Sequence, residues 1–123
     1  MKPGDRTRVP TVSEVVRDGA AICDPEGTDT VVTALFEGFE DDDRPATASE
    51  DLAAELQETV DGVDPDGDSA AARMAVASAV WLATNPDHEH DPERVLQASA
   101  RLVFDGDPPD HVRAWLQERG IEL

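Results

Sequence analysis

The chain has no tyrosine, one cysteine and one lysine in 123 residues, and its aromatics are three phenylalanines and two tryptophans. Each scarcity excludes something. A lone Cys23 has no internal partner, so a disulfide-stapled scaffold is out. Eight glycines without a period exclude a collagen-like repeat. The longest mostly apolar stretch, 74–83, is about half of what a bilayer core demands. Residues 1–11 are polar and carry Lys2, Arg6 and Arg8 with no apolar run behind them. No secretory signal is therefore expected, and the cytoplasm is the expected compartment.

What is abundant is acid. Asp and Glu number 28 against 10 Lys and Arg, for a net charge of −18; 17 of the acids are aspartate and nine of the bases arginine. The apolar residues are mostly small, with 17 Ala and 13 Val. Disorder does not fit, because apolar residues recur at helical spacing almost throughout. A nucleic-acid mimic would need the acids, but not the shortage of lysine or the small apolar residues. A salt-filled cytoplasm accounts for all three. At molar salt the Debye length is about 3 Å, so repulsion among surface acids is largely screened. The balance resembles that of proteins from extremely halophilic archaea. Acidity is then background, and says little about a basic partner.

The charge is unevenly placed. Residues 1–23 carry four bases and three acids (+1), and residues 94–123 carry four bases and five acids (−1). Residues 24–93 hold two bases and twenty acids (−18). The near-neutral ends are where docking to a partner is expected.

Asp-Pro and Asn-Pro pairs at 24–25, 64–65, 85–86, 91–92 and 107–108 punctuate the chain. Proline suits the first turn of a helix, and the residue before it can cap the free N–H groups. Six helices are expected. The first covers 12–22, opened by Thr11 and Glu14 as a capping box. The second covers 30–39, although a Thr/Val-rich start leaves 28–36 open to a strand reading. The third is capped by Ser49 or Thr47 and buries Leu52, Leu56 and Val60. Next comes a turn-rich linker, 61–68.

The fourth helix, 69–84, is apolar nearly all round, and Ala71, Ala75, Ala79 and Ala83 form a stripe of small residues. Such a stripe lets a neighbour approach closely, so this helix is expected at the centre. The fifth, 92–104, presents Val95, Leu96, Leu102 and Val103, and the sixth, 109–119, presents Val112, Trp115 and Leu116 before stopping at Gly120. Ile121 and Leu123 are placed to fold back. Trp81 and Trp115 are expected to anchor the core. The expected architecture is all-α: a compact bundle of five or six short helices around 69–84, forming a single domain over 11–123 behind a flexible basic tail, 1–10.

Candidate chemistry is sparse. Asp87, His88, Glu89, His90 and Asp91 gather potential metal ligands in one loop, with His111 as a conceivable third histidine. The competing reading is a solvated loop whose Asp91 caps the next helix, and no metal or other cofactor is assigned. Asp64, Asp66 and Asp68 alternate as in a calcium loop, but Ser69 stands where the turn glycine belongs and Ala75 where the bidentate glutamate belongs. Asp24 and Glu26 beside Cys23 are expected to raise its pKa and make it a structural residue. There is no glycine-rich phosphate loop and no nucleophile elbow, so an enzyme is not expected.

The remaining reading is a small accessory or regulatory protein that binds another protein, with self-association a further option. Arg6, Arg8, Arg113 and Arg119 are its candidate contact residues. The alternative is a DNA-binding regulator with a helix-turn-helix over 92–119, presenting His111, Arg113, Gln117 and Arg119. A metal-dependent activity at 87–91 comes third.

Overall fold

The computed structural model describes residues 10–46, 50–66, 69–84 and 91–121. Among them are six helices: α1 (Val12–Cys23), α2 (Thr30–Phe39), α3 (Glu50–Val63), α4 (Ala70–Thr84), α5 (Pro92–Phe104) and α6 (Asp110–Glu118). No β-strand occurs among the described residues; one isolated antiparallel bridge joins Thr11 to Pro45. The region 28–36, open to a strand from its composition, starts α2. None of these helices is long and apolar enough to cross a membrane.

Local chemistry sets the helix ends. The Thr11 hydroxyl accepts from Glu14 N at 3.1 Å, and Glu14 Oε1 accepts from Thr11 N at 3.3 Å, completing the expected capping box. Asp91 accepts from Glu93 N, with Pro92 in the first turn of α5. The other described Asp-Pro pairs act differently. Asp24 and Asp64 come just after the ends of α1 and α3, where their backbone N–H groups bond Ala20 O and Val60 O. Their carboxylates fold the next turns, Asp24 accepting from Thr28 N and Asp29 N, and Asp64 from Ser69 N. Asp107 bonds Arg113, and the N-cap of α6 is Pro109, with no side-chain cap. The linker expected from residue 61 begins later, because α3 runs through Val63. The caps expected at Thr47 and Ser49 lie outside the described residues.

Asp29 joins two helix starts. Its Oδ1 accepts from Val31 N (2.9 Å) and Val32 N (3.1 Å), capping α2. Its Oδ2 accepts from the Ser69 hydroxyl at 2.9 Å, and that hydroxyl accepts from Ala72 N at the start of α4. Asp29→Ala is expected to cost about 1–2 kcal/mol in urea unfolding, at the upper side of cap substitutions because two helix starts lose a partner. An unchanged midpoint would show that the cap contributes nothing.

The fold is arranged around α4, which contacts α1, α2, α3, α5 and α6. Ala70, Ala71, Ala72, Met74, Ala75, Val76, Ala77, Ser78, Ala79, Leu82 and Ala83 are all buried on it. A helix enclosed on so many sides cannot carry a polar face, which explains its all-round apolar sequence. Around it stand Val12, Val15 and Val16 of α1, Val32 and Leu35 of α2, Leu56 and Val60 of α3, Val95 and Leu96 of α5, and Val112 and Leu116 of α6.

Helices α1 and α4 approach each other closely. Gly19 of α1 is buried, and a Cβ placed on it would lie 2.9 Å from Ala75 O and 3.2 Å from Ala79 N. The alanine stripe of α4 therefore meets a glycine, a complement that the reading of the stripe alone did not identify. At the other end, Gly120 takes a left-handed φ of 77° and Ile121 turns back to bury its side chain, its N–H bonding Leu116 O at 3.0 Å. Leu123 lies outside the described residues.

Two expectations about the core need correction. Trp81 and Trp115 are only partly buried and pack at its edge. Leu102 and Val103, expected on the buried face of α5, are 48% and 43% exposed. The reason is positional. Leu96, Ser99 and Ala100 bury the face a turn or two earlier, and in the last turn it is Phe104, on the Ala100 side, that packs against the core while Leu102 and Val103 stay outside it.

Candidate interaction surface

The candidate residues separate into those the structure places and those it does not. Arg6, Arg8, Asp87, His88, Glu89 and His90 lie outside the described residues. Asp91 is exposed, and its carboxylate caps α5. His111 is exposed in the first turn of α6. No cluster of three or more His, Cys, Asp or Glu suited to a metal occurs among the described residues. Asp64, of the calcium-like run, bonds the backbone of Ser69.

The two C-terminal arginines are engaged within the chain. Arg113 Nη2 meets Asp107 Oδ1 at 2.6 Å. Arg119 stacks over the Trp115 ring at 3.7 Å from its centroid, and its Nη1 donates to Trp115 O at 3.2 Å. Both guanidinium groups are thus held at the surface of α6, half occupied by intramolecular partners. Helices α5 and α6 each pack on α4.

The acidic middle has its own fixed point. Arg44, before α3, spans two carboxylates: Nη2 lies 2.6 Å from both Asp42 Oδ2 and Glu55 Oε2. These hydrogen bonds hold the Asp42 and Glu55 carboxyls below their ordinary range and raise the guanidinium pKa. An open recess beside it is lined by Glu37, Gly38, Asp41, Asp42, Asp43 and Arg44. With its cation already paired twice and four carboxylates around it, that recess repels anions.

Cys23 is fully buried, its Sγ 3.8 Å from Ser78 Oγ on α4. Burial pushes the thiol up to about 12; Ser78 and the Arg119 charge oppose this, and Asp24 adds a smaller upward push. Burial, not the adjacent acids, is the main cause. In folded protein at about pH 8, a thiol reagent is expected to label Cys23 only as fast as the fold opens, and urea should accelerate it. Immediate labelling without denaturant would contradict this packing. The other core hydroxyl, Ser99 on α5, is buried without a hydrogen-bond partner.

What the structure adds is apolar. Among the described residues the exposed large hydrophobic side chains are Val63, Leu102 and Val103. Val63 ends α3 within the strongly acidic section, whereas Leu102 and Val103 adjoin one another in the near-neutral C-terminal section. No periodicity argument reveals this patch, since the residues sit at core positions; it becomes visible only from their exposure in the fold. No protein family, curated protein or solved structure matches this chain.

Proposed function

We propose that this chain is a small cytoplasmic accessory or regulatory protein of a salt-accumulating archaeon, acting by association with another protein and performing no chemistry of its own. The observation that carries this reading is the exposed Leu102–Val103 pair in a section of net charge −1 within a chain of −18. Apolar contact needs surfaces that can be brought together without desolvating many charges, and this is such a surface. Arg113 and Arg119, held on α6 by Asp107 and Trp115, supply presented cations for the rim of the contact.

The test is affinity capture from a haloarchaeal extract in molar KCl, and then rebinding of the captured protein in purified form. Saturable rebinding that is weakened by Leu102→Asp is expected. Recovery of the bait alone would overturn the reading.

A further inference from the structure

We draw no further inference here: the strongest candidate, the open recess between α1 and α2 lined by Arg17, Ala20, Val32 and Phe36, is an unpartnered and largely apolar surface, and nothing in the structure shows what covers it.

Discussion

Replacing Gly19 with alanine is expected to destabilise the protein by about 2 kcal/mol or more, although the same change in an open helix would add about 1 kcal/mol. The added methyl would face the carbonyl oxygen of Ala75 at 2.9 Å and the amide nitrogen of Ala79 at 3.2 Å. Both belong to the backbone of α4, so no side chain can rotate away. Relief requires α1 and α4 to move apart, and α4 is shared by every other helix. Loss of van der Waals contact would then spread beyond the substituted position.

Gly38→Ala is the matched control. It lies inside α2, where the nearest atom to a new Cβ is Thr59 Cγ2 at 3.5 Å, an ordinary contact. That variant should be neutral or slightly more stable. Urea midpoints of the two variants at equal salt provide the check. Equal midpoints for both would mean that α1 and α4 are not in this close contact.

The second large effect expected is the dependence of folding on salt. At molar KCl the chain should be helical and unfold cooperatively; below about 0.1 M, where the Debye length reaches about 10 Å, it should lose helicity. The described ion pairs involve Arg17, Arg44, Arg73 and Arg113, far too few to neutralise 28 acids. The core adds little reserve, because nearly half of its central helix is alanine, which buries little apolar area per residue. Far-UV circular dichroism across a KCl series tests this. Helicity and midpoint unchanged below about 0.1 M would remove the halophilic reading. Cys23 labelling should accelerate over the same range, since it reports opening of the α1–α4 contact.

Much of the fold was legible before any coordinates. The alanine stripe at 71, 75, 79 and 83 identified the central helix, because a helix with no polar face has to be enclosed. Thr11 with Glu14, and Asp91 with Pro92, marked helix starts because a cap is a local bond between residues close in sequence. The same rule misread Asp24, Asp64 and Asp107. An aspartate before proline can cap a helix, close the previous one or pair with an arginine, and its neighbours in space decide between these. Cys23 was legible as structural but not in its cause. Adjacent acids are visible in the sequence, whereas burial against Ser78 is not.

The candidate surface was less legible still. Charge arithmetic pointed to the C-terminal section, but to its arginines. Those proved to be engaged by Asp107 and Trp115, while the exposed apolar pair sat at positions that periodicity assigns to the core.

By itself, then, the sequence determined the helices, the caps at Thr11 and Asp91, the identity of the central helix and the excess of acid. These depend on residues near one another along the chain, or on totals. Tertiary structure alone decided that Gly19 is the residue against the alanine stripe, that the tryptophans stay at the edge, and that Leu102 and Val103 stay exposed near the end of α5. Each depends on where one helix ends relative to another, a relation set by packing between distant segments and written in no single stretch of the chain.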